Sequence, residues 1–141
     1  MQGRVVFPLQ DEDGRLVGYA GRSVDGREPR YLFPPGFHTS QVVFNFHRAV
    51  TSQRDLAIVV EGFFDCLKVY QAGYDNVVAL MGVSASARQS QLLQRRFREL
   101  LLMLDGDETG RRAGRARACS ALGSQPDQLS SREIQGILRA F

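Results

Sequence analysis

The chain changes rhythm near its middle. Up to residue 50, short apolar stretches alternate with polar turns, whereas from Leu56 onward unbroken apolar runs alternate with stretches of helical spacing. In the first part, Val5, Val6, Phe7 and Leu9 form one stretch and Leu16 to Ala20 another, separated by the turn signal Asp11-Glu-Asp-Gly14. A second polar turn, Asp25-Gly26-Arg27, follows Val24, and Pro34-Pro35-Gly36 breaks regular structure. A small antiparallel β unit leading into a helical piece around 42–50 is expected.

In the second part, Leu56-Ala-Ile-Val-Val60, Val77-Val-Ala-Leu-Met81 and Leu100-Leu-Leu-Met-Leu104 read as strands covered on both faces. Between them, residues 62–72 carry Phe63, Cys66, Leu67 and Tyr70 at helical spacing, ended by Gly73. Ser84 or Ser86 can cap a helix that presents Leu92, Leu93 and Phe97. An Ala- and Arg-rich segment, roughly Thr109 to Leu122, is expected to be helical. Ser130-Ser-Arg-Glu133 is a capping box that opens a last short helix. Alternation of this kind predicts an α/β fold, a parallel sheet with flanking helices preceded by a small β-rich subdomain. The expected parts are 1–52 and 53–141, with the break near the polar Arg54-Asp55.

Composition narrows the class without deciding it. At 141 residues, 43% hydrophobic and 23% charged, the chain can bury a core of its own. The apolar run 100–104 is too short to cross a bilayer and no basic-then-apolar leader opens the chain, so a cytoplasmic location without membrane contact is expected. Cys66 and Cys119 suggest buried thiols, and with His38 and His47 they have no zinc-finger spacing, so no zinc is expected. The net charge is +3, and every basic residue except Lys68 is Arg. Arginine suits bidentate phosphate contacts, although a GC-rich genome gives the same bias.

The chemistry-bearing residues stand just past strand ends. Glu61-Gly62 follows the first buried strand, and Asp105-Gly106-Asp107 follows the third. Ligands of open parallel sheets bind outside the carboxyl ends of the strands. If those two strands are neighbours, three carboxylates converge at one rim and repel one another unless cations compensate them. An all-oxygen ligand set favours Mg²⁺ or Mn²⁺ over zinc. Gly62 and Gly106 would let a phosphate or metal approach the backbone. Taken singly, Glu-Gly after a strand is commonly a helix N-terminal acid, and Asp-Gly-Asp is usually a turn. Asp65, one helical turn after Glu61, either joins the site as an accessory acid or faces water.

These residues also carry a family resemblance. Glu61-Gly-Phe-Phe-Asp65 resembles the "EGxxD" element of Toprim domains, and Leu104-Asp-Gly-Asp-Glu-Thr-Gly110 resembles their "DGDxAG" element. Val78-Ala-Leu-Met-Gly82 is similar to the "VAxxGT" strand of bacterial DNA primases, with Val83 where Thr is usual. Further back, Arg4-Val-Val-Phe-Pro8, Gly18-Tyr-Ala-Gly-Arg22 and Arg30-Tyr-Leu32 resemble "RxxFPI", "GFGGR" and "KYLNSP" of the primase catalytic core. The resemblance implies a Toprim-type sheet and a nucleotidyltransferase that makes RNA primers on single-stranded DNA. Glu61, Asp105 and Asp107 would be catalytic and hold Mg²⁺ or Mn²⁺, with Asp127 as a further candidate. Arg4, Arg22 and Arg30 would face template or nucleotide phosphates. Nucleoside triphosphates and the single-stranded template would be the partners, with a replicative helicase reached through regions this chain lacks.

The resemblance has departures. Thr39 replaces a basic residue, and where a further strand and "DPD" would follow, only Gly123-Ser-Gln125 precede Pro126-Asp127. Three residues fall short of a typical strand of about five to six, so a shortened carboxyl end is expected. A chain with Gln125 in place of an acid is expected to bind its ligands yet synthesise primers slowly or not at all. The alternative is a degenerate Toprim module that binds nucleic acid or metal without turnover. A Toprim nuclease is a weaker reading, and none of Tyr19, Tyr31, Tyr70 or Tyr74 has a topoisomerase context. Of the arginines at 95, 96, 98, 111, 112, 115 and 117, most read as solvated helix faces, with phosphate contacts as the alternative.

Overall fold

The computed structural model describes residues 2–104, 116–118 and 126–139. The first sheet is antiparallel, built from β1 (Arg4–Gln10), β2 (Leu16–Ser23) and the two-residue β3 (Tyr31–Leu32) in that order. Its hairpin turns where expected. The Asp11 carboxylate accepts the amides of Asp13 and Arg15, and Gly14 takes φ +82°, a conformation most side chains resist.

A short helix α1 (Phe46–Ala49) leads to the second sheet, whose strands are β4 (Leu56–Val60), β5 (Val77–Ala79), β6 (Glu99–Met103) and β7 (Ala116–Ala118). The order is β5-β4-β6-β7, and every pairing is parallel. β4 and β6 are neighbours in the register Leu56↔Glu99 to Val60↔Met103. Glu61 and Leu104 therefore leave the sheet at the same level, one residue beyond a paired position.

Both faces of this sheet are covered, which is why its strands read as continuous apolar runs. Ile58, Val60, Leu101 and Met103 pack with Cys66 and Val69 of α2 (Phe63–Gln71) and with Ile134 and Leu138 of α4 (Ser131–Leu138). Ala57, Val59, Val78 and Leu80 pack on the other face against Val43, Phe46, Leu92, Leu93 and Phe97, from α1, α3 (Ala87–Arg96) and their flanks. Burial pushes the Cys66 thiol far up its titration range, as expected of an inert core residue. The capping boxes at Ser86–Gln89 and Ser130–Glu133 both form.

One expected element is corrected. The segment read as helical from 109 to 122 contains β7, whose Ala116, Arg117 and Ala118 pair with Leu100, Leu101 and Leu102. Alanine and arginine are good helix formers, but propensity is a weak prior, and parallel hydrogen bonding to the open edge of β6 overrides it. A strand at 116–118 thus precedes Pro126 in the sequence. It follows β6 after the 12 residues 104–115, near the shortest connection that joins parallel neighbours, roughly a dozen.

Gln89 locks α3 in place. Its side chain is 1% exposed; Nε2 lies 2.8–3.1 Å from the carbonyls of Thr39, Val42 and Leu80, and Oε1 accepts the Ser86 amide. Gln89→Leu would take this donor from the buried Val42 and Leu80 carbonyls, while the Thr39 carbonyl keeps the Val42 amide. A loss of about 2–4 kcal/mol is expected in urea denaturation, and a change below about 0.5 kcal/mol would show that the network contributes little.

Candidate functional site

Where the two sheets meet, a cleft of about 270 Å³ opens at the carboxyl end of β4. Its walls come from both halves of the chain: Arg22, Arg30, Tyr31 and Phe33 from the first sheet and its exit, and Glu61, Phe64, Asp65, Gly82 and Asp127 from the second part. This is the rim position that open parallel sheets use for ligands.

Glu61 is the first residue after β4 and is half-buried. Its carbonyl accepts the Met81 amide at 2.9 Å, so hydrogen bonding between β4 and the β5 exit continues to the rim. Gly62 precedes α2, and its amide donates to Asp65 Oδ2 at 3.1 Å. Asp65 does not face water. It is 8% exposed, and its Oδ1 accepts the Asp127 amide at 3.0 Å. At Gly62 a Cβ would stand 2.8 Å from Asp65 Oδ2, so the missing side chain makes room for that carboxylate.

Asp127, reached only at the end of the chain, is brought to the same cleft by the turn Pro126–Gln128. Its Oδ1 is enclosed and has no hydrogen-bond partner among the described residues. An ionised oxygen placed this way is a poor solution for a protein without a cation or donor to meet it. Asp105 and Asp107 lie outside the described residues, as do Gly106, Cys119 and Gln125. Among the described residues no group of three or more His, Cys, Asp or Glu is arranged to hold a metal ion. The donor set at the cleft is nonetheless all carboxylate, which suits a hard cation.

The three arginines separate. Arg22 lines the cleft, with its guanidinium carbon 4.4 Å from the Phe64 ring centre and 5.7 Å from that of Tyr31. A cation this close to a ring face is attracted by it. Arg30 lines the cleft with an exposed side chain. Arg4 is not among the cleft residues; its Nη1 lies 3.0 Å from the Gly21 carbonyl and 2.8 Å from that of Pro29, tying β1 to the loop before β3. Arg95, Arg96 and Arg98 stand away from the cleft, and Arg96 donates to the Val50 carbonyl. The aromatic wall of Tyr31, Phe33 and Phe64 is absent from the residues singled out in the sequence. The signal was present, since Tyr31 and Phe33 alternate around the exposed Leu32 and so share one side of an extended segment.

Residues 58–134 match the family described as Toprim-like, and residues 1–50 match the N-terminal domain of the DNA primase catalytic core. The chain belongs to the Toprim-like family. Its two matched segments meet at the cleft, so the site is built from both. DNA primase of Synechococcus elongatus is 35% identical over 139 residues, 94% of this chain and 20% of that protein. DNA primase of Staphylococcus aureus is 38% identical over 117 residues, 79% of this chain and 20% of that protein. The chain thus spans about a fifth of the length of these curated relatives. Among solved structures, the Escherichia coli primase catalytic core superposes with a TM-score of 0.83 at 30% identity, covering 98% of this chain and 51% of that one. A DnaG primase catalytic domain bound to single-stranded DNA gives 0.81 at 28% identity, with 98% and 51% covered.

The close approach of Gly62 to Asp65 is directly testable. Gly62→Ala is expected to cost about 1–3 kcal/mol by displacing a buried, hydrogen-bonded carboxylate. At Gly82, where a Cβ would meet nothing within 4 Å, alanine is expected to cost under about 0.5 kcal/mol. Equal midpoints for the two variants in thermal denaturation would contradict this reading.

Proposed function

We propose that this chain forms the nucleotide-joining part of a DNA primase, making RNA primers on single-stranded DNA in a reaction that needs Mg²⁺ or Mn²⁺. The observation that carries the proposal is the cleft itself, with Arg22 and Arg30 on one wall and Glu61 and Asp127 on the other. A triphosphate carries negative charge at one end and needs both arginines and cation-binding acids beside it. The cytoplasm, where chromosomal replication proceeds in bacteria, is the location that fits this role.

Glu61 and Asp127 would hold the cation together with Asp105 and Asp107, which follow β6 in the sequence. When bound, such a cation lowers the pKa of an attacking 3′-hydroxyl and offsets charge on the departing pyrophosphate. The chain's own side chains do the rest. Arg22, over the Phe64 ring, offers a fork of donors to a phosphate. Arg30 reaches from the open side, where a template backbone would pass. Tyr31 and Phe33 offer aromatic surface on which bases of a single strand can stack, an interaction worth about 1–3 kcal/mol per base. Arg4 acts at a distance by fixing the loop that carries Arg30. The relatives compared above are DNA primases, which does not favour the alternative of a module without turnover.

Two outcomes are expected in solution. Single-stranded DNA should bind with strong salt dependence, and Arg22→Ala or Arg30→Ala should each reduce the slope of log K against log salt by about 0.7. Arg4→Ala should lower stability and leave that slope unchanged; a slope change equal to that of Arg22→Ala would place Arg4 on the phosphates. For the metal, Asp105→Asn should weaken Mn²⁺ binding in calorimetry more than Asp65→Asn does. Primer synthesis with labelled nucleotides, present with Mn²⁺ in the wild type and abolished in Glu61→Gln, tests the proposal as a whole. Absence of binding to both nucleotide and single-stranded DNA at low salt would sink it.

A further inference from the structure

We infer that Asp65 is a positioning residue: it holds Asp127 at the cleft by a hydrogen bond and contributes no metal ligand of its own. The functional consequence rests on the metal-dependent reading above, but the contact itself does not.

The two acids have opposite surroundings. Asp65 lies in the first turn of α2, almost fully buried, and both carboxylate oxygens are engaged by main-chain donors from separate segments. Oδ2 accepts from Gly62 at 3.1 Å and Oδ1 from Asp127 at 3.0 Å, across 62 positions of sequence. Two such donors, together with the positive end of α2, compensate an ionised carboxylate without any cation. Oδ2 lies so close to the Gly62 backbone that a Cβ there would stand 2.8 Å from it, so turning the carboxylate elsewhere in the cleft would break its main-chain bonds. Asp127 is the reverse. Its main-chain N–H is held, while its Oδ1 is enclosed without a hydrogen-bond partner among the described residues. One carboxylate is therefore spent on structure so that another can be presented.

The link also reaches further. Asp127 sits four residues before α4, whose Ile134 and Leu138 are buried under the sheet. Asp65 is a polar tie between the helix that follows Glu61 and the segment that docks α4. An amide at position 65 keeps one acceptor oxygen but turns an NH₂ group toward a main-chain N–H, so one of the two bonds is lost.

The test combines amide hydrogen exchange with Mn²⁺ calorimetry on wild type, Asp65→Asn, Asp127→Asn and the double variant. In Asp65→Asn, amides from Asp127 through α4 should exchange at least about ten-fold faster, the loss expected of one hydrogen bond to a charged group. Its Mn²⁺ affinity should fall, and the double variant should bind no more weakly than Asp127→Asn alone, because Asp65 acts through Asp127. A further ten-fold loss in the double variant would make Asp65 a ligand in its own right and overturn the inference. Unchanged exchange in Asp65→Asn would overturn it too. If Asp65→Asn does not fold, Gly62→Ala displaces the carboxylate without removing it and should speed exchange in the same segment; failure to do so counts against the tie. If the wild type holds no Mn²⁺, the metal-dependent function fails, and the exchange data alone decide the role of Asp65.

Discussion

The site depends on one stacking contact, that of Phe7 on Phe63. The ring centres are 4.6 Å apart and nearly parallel, and Phe44 meets Phe63 edge-on at 4.8 Å. Phe7 comes from β1, while Phe63 opens α2 directly after Glu61 and Gly62. Burying this pair, with Leu9 and Ala20, seats the antiparallel sheet on the rim of the parallel one. Such aromatic pairs contribute about 0.5–1.5 kcal/mol beyond the area they bury. The contact has a geometric consequence as well: it brings Arg22 and Arg30 across from Glu61. Without it the arginines and the acids would belong to two unrelated surfaces.

Adjacent residues in the Glu61–Asp65 element divide the work by the direction in which each side chain leaves the helix start. Phe63 points into the shared aromatic core, Phe64 turns to the cleft and carries Arg22, and Asp65 folds back on the Gly62 amide. Five consecutive residues therefore provide an acid at the rim, room for a carboxylate, an anchor, a platform and a tie. A single-residue change in helix phase at this point would disrupt all of them together.

Much of this was legible in the sequence. The unbroken apolar runs at 56–60 and 100–104 marked buried strands, and their parallel pairing follows from the helices between them. The capping box at Ser130 fixed one helix start, Ser84 or Ser86 was a candidate cap for another, and the motif residues placed Glu61 at the rim. The 116–118 strand was not legible, because Ala-Arg-Ala carries helical propensity and only the free edge of β6 makes it a strand. Nor was the role of Asp65. Spacing of one helical turn says that Glu61 and Asp65 share a face, but not that a main-chain amide 62 positions away claims one oxygen. The separation of Arg4 from Arg22 and Arg30 was equally hidden, since it depends on the carbonyls that its guanidinium meets in three dimensions.

The central claim is that one cleft between the two sheets receives both the cation and the phosphates. Line broadening by Mn²⁺ in the amide spectrum of the protein tests it most directly, because the paramagnetic ion marks its own neighbourhood. With Mn²⁺ added at low ratio, the amides of Gly62, Gly82 and Asp127 are expected to broaden first, and nucleotide is expected to sharpen that selectivity. Broadening centred on the acidic turn of Asp11, Glu12 and Asp13, or spread evenly over the surface, would contradict the account.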